Sequence, residues 1–164
     1  MTLTTHSVIG GIIIGKLTHN PGMGFLLAFA SHFVADAIPH WDYTLISLEE
    51  TPLDPLAGKL GSGKTFRHDL LIIGTDAVLG LLLTTLLAGI GNFSFTFVWL
   101  GAIMAMLPDT LQFAYYRLGG PILTYLQRFH LAIHTKTKLK NQPFLGISLQ
   151  LLLILIIFSI TLVI

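Results

Sequence analysis

Asp69 to Ile90 reads DLLIIGTDAVLGLLLTTLLAGI, an apolar run of the length a helix needs to cross a bilayer, with Asp76 inside it. A stretch of that length and character predicts a transmembrane helix, and it makes the rest of the chain legible as a membrane protein. The composition agrees: 53% of the 164 residues are hydrophobic and 10% are charged, against about 25% charged in soluble domains. Phe93 to Leu107 begins a second span, which meets Pro108-Asp109 and continues to Tyr116. Phe144 to Ile164 is a third, nearly free of polar atoms, and reads as a lipid-facing anchor.

Upstream, Ser7 to Leu17 is apolar but too short to span alone, and its Gly11-x-x-x-Gly15 spacing is a small-residue packing face. After the turn Thr18-His19-Asn20-Pro21-Gly22, Met23 to Ile38 is a second apolar helix. The two predict a tight helical hairpin dipping into the bilayer. Residues 39–68 are polar, with Pro and Gly and no sustained periodicity, and predict a long loop with room for one short helix. Ile122 to about Lys138 places Ile122, Tyr125, Leu126, Phe129 and Ile133 at helical spacing, which predicts an amphipathic helix lying in the interface. The expected fold is therefore all-α: one membrane-embedded domain over 1–164, with an N-terminal helical hairpin, about three transmembrane helices and one interfacial amphipathic helix.

Threading these segments puts Lys59, Lys64, Arg67, Arg117, Arg128, Lys136, Lys138 and Lys140 on one side and Lys16 alone on the other. The positive-inside bias makes the first side, with the 39–68 loop, cytoplasmic. The N-terminus carries no basic region, so no cleavable signal is expected. A formal net charge of +1 argues against a nucleic-acid partner. With no Cys in the chain, a metal would have to be held by His, Asp, Glu or backbone oxygen.

The candidate chemistry gathers on that same side. In Ser31–Tyr43, SHFVADAIPHWDY, His32 and Asp36 are four apart and stack on one helix face. Pro39 should end the helix, so that His40 and Asp42 fold back toward that pair. His6, Asp109, His130 and His134 lie near the same face, and of the seven histidines only His19 does not. Imidazole and carboxylate are the ligands of zinc and similar divalent ions. His6, His32, Asp36, His40, Asp109, His130 and His134 are thus the expected metal ligands. Asp42, His68 and Asp76, the last about two turns or ~10 Å into its span, are the expected general base or outer partners. For each residue an ordinary reading also exists: a solvated helix end, a histidine edging a polar face, or a carboxylate accepting a hydrogen bond from a neighbouring helix.

Gly58-Lys59-Leu60-Gly61-Ser62-Gly63-Lys64-Thr65 fits the phosphate-binding pattern G-x-x-x-x-G-K-[ST]. That loop functions between a buried strand and a helix of an α/β domain. Glu49 to Pro55 cannot supply the strand, so no nucleotide partner is expected.

Ser31-His32-Phe33-Val34-Ala35-Asp36 at a helix end, with Leu107-Pro108-Asp109, resembles the bacterial inner-membrane family of membrane-bound metal-dependent hydrolases; Thr5-His6 and His130/His134 are similar to its Thr-His start and His pair. His32-x-x-x-Asp36-x-x-Pro39-His40 is also similar to the ligand run of zinc-dependent phospholipase C and related nucleases. The resemblance implies a helical fold, a zinc-type cofactor, a bacterial inner-membrane location and a phosphoester or lipid-phosphate substrate drawn from the membrane. Two other classes stay open: a non-enzymatic membrane protein with a structural metal, and an ion transporter, for which the far side offers few polar groups.

Overall fold

The computed structural model describes residues 1–49, 51, 54–137 and 139–164. Among the described residues its regular structure is helical apart from one small hairpin: α1 Leu3–Leu17, α2 Pro21–Asp36, β1 Leu48–Glu49, β2 Lys59–Leu60, α3 Lys64–Gly91, α4 Phe95–Leu118, α5 Pro121–Ile133 and α6 Pro143–Val163. Three of these, α3, α4 and α6, are long and apolar enough to cross a membrane. Their outward faces carry Leu71, Val78, Leu82, Leu86, Ile103, Leu151 and Leu155 in exposed positions. Exposed apolar side chains in such number on helices of this length suggest a membrane protein.

The short helix α1 is the hub. It packs against α2, α3, α4 and α6, and most of its residues are buried. Its start is fixed by Thr2, whose side chain accepts a hydrogen bond from the Thr5 N–H. Asn20 caps α2 in the same way through the Met23 N–H, with Pro21 in the first turn. Asn92 closes α3 in the left-handed conformation at φ 52°. The predicted face at Gly11 and Gly15 is real: added methyls would meet Thr84 Cγ2 and Val98 Cγ2 respectively. A second close approach lies alongside it, where Gly10 of α1 meets Gly101 of α4 backbone to backbone. A Cβ on Gly10 would lie 2.8 Å from the Gly101 carbonyl oxygen, and one on Gly101 would run into the Gly10 carbonyl oxygen.

Four expectations need correction. The 39–68 segment is not wholly loop. Leu48 pairs with Leu60 and Glu49 with Lys59 in an antiparallel hairpin, and α3 begins at Lys64 rather than Asp69. Asp69 is buried and accepts hydrogen bonds from Ile46 N (3.1 Å), Ser47 N (2.7 Å) and Ser47 Oγ (2.6 Å), which ties the hairpin to α3. The phosphate-loop pattern falls on β2 and the first turn of α3, with Gly63 at φ 83° capping the helix. The amphipathic helix stops at Ile133, because His134 leaves helical geometry at ψ 133°. The last helix is not merely a lipid-facing anchor: Gln150 is buried, accepts from Thr2 N (3.2 Å), Thr2 Oγ1 (3.1 Å) and Thr5 Oγ1 (2.9 Å), and donates to the Trp41 carbonyl (2.9 Å). Lys138, counted above among the basic residues, and Glu50 lie outside the described residues.

Candidate metal centre

The two metal-type residues of α2 point the same way because they are one turn apart. His32 Nε2 lies 3.1 Å from Asp36 Oδ2. α2 ends at Asp36, and the chain reverses through Pro39, so His40 Nε2 comes back to 3.8 Å from Asp36 Oδ1. The amphipathic α5 is oriented with its apolar side outward: Ile122, Tyr125 and Phe129 are exposed while Gln127 and His130 are buried. His130 Nε2 thereby reaches 3.0 Å from Asp36 Oδ2 and 3.3 Å from His32 Nε2. His134, just past the helix, places Nε2 4.0 Å from Asp36 Oδ2. α4 brings Asp109 Oδ1 to 3.7 Å from His32 Nε2 and 3.8 Å from His130 Nε2. α1 supplies His6, whose ring stacks on His32 with centroids 3.9 Å apart, and whose Nε2 lies 3.1 Å from Asp36 Oδ1.

The other six expected ligands therefore gather around Asp36, and all of the seven except His6 fall into two overlapping sets that could hold a metal ion. One is His32, Asp36, Asp109 and His130; the other is Asp36, His40 and His134. Two ligands each 2.0–2.2 Å from one tetrahedral ion lie roughly 3.3–3.6 Å apart. The spacings around His32, His130, Asp36 and Asp109, from 3.0 to 3.8 Å, bracket that range.

The tautomers sharpen the fit. His32 Nδ1 lies 2.8 Å from the Ala105 carbonyl, His40 Nδ1 2.7 Å from the Ile38 carbonyl and His134 Nδ1 3.2 Å from the Thr135 carbonyl. A carbonyl only accepts, so each Nδ1 carries the hydrogen, and in the neutral ring Nε2 presents its lone pair. Burial pushes His40 down to about 4, and burial likewise lowers His134. Both rings are thus neutral at pH 7, with lone pairs facing carboxylate oxygens. Lone pairs gathered on carboxylates in a buried space call for a cation among them. Among the described residues neither buried ring nitrogen of His6 completes a hydrogen bond, although Nε2 lies 3.1 Å from Asp36 Oδ1, and a buried nitrogen in that state can serve a bound ion. The ammonium of Met1 meets the same demand for positive charge, donating to Asp36 Oδ1 at 2.8 Å. The donor set, the spacing and the orphaned His6 fit a divalent metal.

The expected base residues separate. Asp42 stays near the cluster, its Oδ2 3.9 Å from the Met1 nitrogen and its side chain 41% exposed. Although part of the side chain reaches solvent, the surrounding protein desolvates its carboxyl and, with Asp109 and Asp36 adding to this against the nearby Met1 ammonium, pushes it up to about 7. His68 does not join: it is half-exposed on α3, with Nδ1 3.3 Å from Asp69 Oδ1. Asp76 does not join either. Its carboxylate accepts from Leu3 N (2.7 Å), Thr4 N (3.1 Å) and Thr4 Oγ1 (2.7 Å). It caps the N-terminus of α1 from a neighbouring helix, which satisfies otherwise orphaned N–H groups and takes up both oxygens. Gln150 and the Met1 amine are the polar groups missed in the sequence. Gln150 could have been noticed as the lone amide in a run of aliphatic residues.

No protein-family profile, curated protein or solved structure matches this chain.

Proposed function

We propose that this is a membrane-embedded, metal-dependent hydrolase of phosphoesters, with its site at the cytoplasmic leaflet of a bacterial inner membrane and lipid-phosphates among its substrates. The observation that carries the reading is the gathering of imidazole Nε2 atoms around Asp36, with Asp109 beside them, drawn from α1, α2, α4 and α5. His32, Asp36, Asp109 and His130 would hold one zinc-type ion; Asp36, His40 and His134 offer a second position, and His6 stands beside both. A bound divalent ion lowers the pKa of its water toward ~7 and offsets charge on the phosphoryl oxygens.

Hydrolysis forms a bond from the water oxygen to phosphorus and breaks the ester P–O bond, and the released alcohol takes up a proton. Asp42, the most exposed carboxylate beside the cluster, accepts the water's proton at Oδ2 and then hands it to the leaving oxygen. Asp36 orients the imidazoles around it, and the Nδ1 hydrogen bonds to backbone carbonyls keep each Nε2 aimed inward.

The test is turnover of a lipid-phosphate panel by the purified, zinc-loaded chain, with Asp42→Asn as the informative variant. The expected result is a 10²–10⁴-fold loss of rate with metal content unchanged. No turnover by the parent over a broad panel contradicts the enzyme reading. A structural metal is the second reading, favoured by the near-complete burial of His6, His32 and Asp36 where four helices meet; it predicts metal loss on ligand removal with no turnover at any stage.

The orientation has its own check. The chain has no native Cys, so Asn92→Cys and Lys140→Cys can be labelled singly in intact cells and inverted vesicles. Lys140→Cys is expected to react from the cytoplasmic side and Asn92→Cys from the opposite side; the reverse pattern contradicts the orientation.

A further inference from the structure

His130 differs from its neighbours in the cluster in what holds the far side of the ring. His32, His40 and His134 each set Nδ1 against a backbone carbonyl. Among the described residues, the hydrogen-bond contacts of His130 run through Nε2 alone, to His32 and Asp36. A neutral ring whose Nε2 offers a lone pair to a metal carries its hydrogen on Nδ1, and that N–H ordinarily has an acceptor that fixes the ring.

A small cavity lies against this ring, between α2, α4 and α5. Phe33, Leu111 and Leu126 give it apolar walls, and Gln112 and Gln127 join His130 as its polar lining. Gln127 precedes His130 by three residues, so the two share one face of α5, and both are buried. The Gln127 amide has one orientation. The Pro55 carbonyl can only accept, so the Tyr116 hydroxyl donates to it at 3.2 Å, and the Tyr116 oxygen accepts from Gln127 Nε2 at 3.2 Å. Oε1 is the remaining edge of the amide. Among the described residues it has no hydrogen-bond partner, although the residue is only 1% exposed. A buried amide oxygen in that state calls for a donor. The cavity measures about 10 Å³, roughly the space of one water, which stays where it finds about two to four polar partners. Its size and walls leave no room for a hydrated ion or an organic ligand.

We propose that this cavity seats a single water, which accepts from His130 Nδ1–H and donates to Gln127 Oε1. Gln127 is then a positioning residue. Through the water it holds the His130 ring with Nε2 toward Asp36, and so sets how tightly the centre keeps its ion. The effect on the ion rests on the metal centre described above; the seat of the water rests on the cavity and the amide. A chain of polar groups then runs from the Pro55 carbonyl through Tyr116, Gln127 and the water to the centre.

The test compares the full chain, Gln127→Met and Gln127→Glu in detergent. Each is titrated with cobalt(II) alone against a competing chelator and followed by visible absorption, with circular dichroism and elution volume as checks on folding. Met keeps the length of the side chain and has no strong acceptor. Glu keeps an acceptor for the water but, as a carboxylate, loses the donor to Tyr116, as Met does. The expected result is a ~10–100-fold loss of cobalt affinity in Gln127→Met, with Gln127→Glu no more than about threefold below the parent. Equal losses in both variants overturn the proposal, because Gln127 then serves only Tyr116 and the packing of α5. Parent-like affinity in Gln127→Met overturns it whatever Gln127→Glu does. A second measurement stands even if a variant fails to fold. In the zinc-loaded parent with isotope-labelled histidine, the His130 Nδ1–H resonance is expected to show magnetic cross-relaxation with a long-lived water, and its absence rejects the seat. Failure of the metal centre reads differently: a parent that takes up no cobalt rejects the centre itself, and with it any hold exerted through Gln127, whereas both overturning results above leave cobalt bound in the parent.

Discussion

Asp36→Ala is expected to strip the protein of metal and abolish phosphoester turnover together. Asp36 is the one residue common to both ligand sets, and His6, His32, His40, His130 and His134 all lie within 4.0 Å of its oxygens. Changes to groups that merely orient ligands cost 10–100-fold in affinity or activity. Removing the shared ligand should cost at least the upper end of that range, ~100-fold or more in metal affinity. Folding is the competing explanation, because the carboxylate also anchors the buried Met1 amine. Circular dichroism and elution volume in detergent decide between them. Metal loss with unchanged helicity and elution supports the shared-ligand role, whereas an Asp36→Ala protein that keeps full metal content refutes it.

The second large effect is on the fold. Gly101→Leu would drive a Cβ into the Gly10 carbonyl oxygen of α1 and to 2.8 Å from Ile14 Cβ. Backbone cannot yield there as the tip of a flexible side chain could. Overpacking of this kind costs ~1–3 kcal/mol and more in tight sites, and the helix displaced is the one carrying Asp109. The expected outcome is a loss of stability of ~3 kcal/mol or more, read as a lowered unfolding midpoint in detergent, with metal affinity falling in parallel. Gly89→Leu, at a helical glycine with open space around it, should leave both unchanged. An unshifted midpoint for Gly101→Leu would mean that α1 and α4 do not cross there.

The contrast between Gly101 and Gly11 shows what the sequence could disclose. Gly11 and Gly15 announced a packing face because they repeat at a helical interval within one helix. Gly10 and Gly101 meet only across two helices, so neither carried a local sign. The metal-type residues were legible for a topological reason. Reading the apolar segments as alternating spans led to the expectation that His6, Asp36, Asp109 and His130 share one end, and the structure does bring these four together. The roles within the set were less legible. Asp76 looked like a buried base because an ionisable group inside a span is usually functional. Its actual task, capping α1, depends on which helix end docks beside it. Gln150 was hidden by the aliphatic run around it, and the orientation of α5 was hidden in a different way: its periodicity gave an apolar face, and only the packing decided that this face turns outward while His130 turns in.

The most direct test of the account is the metal content of the purified chain after zinc loading and exhaustive dialysis, measured by elemental analysis beside His32→Ala, His130→Ala and His68→Ala. The account predicts stoichiometric metal in the parent and in His68→Ala, whose ring stands apart from the cluster, and little or none in His32→Ala and His130→Ala. A parent that retains no metal, or a His32→Ala protein that retains all of it, would contradict the centre built on Asp36.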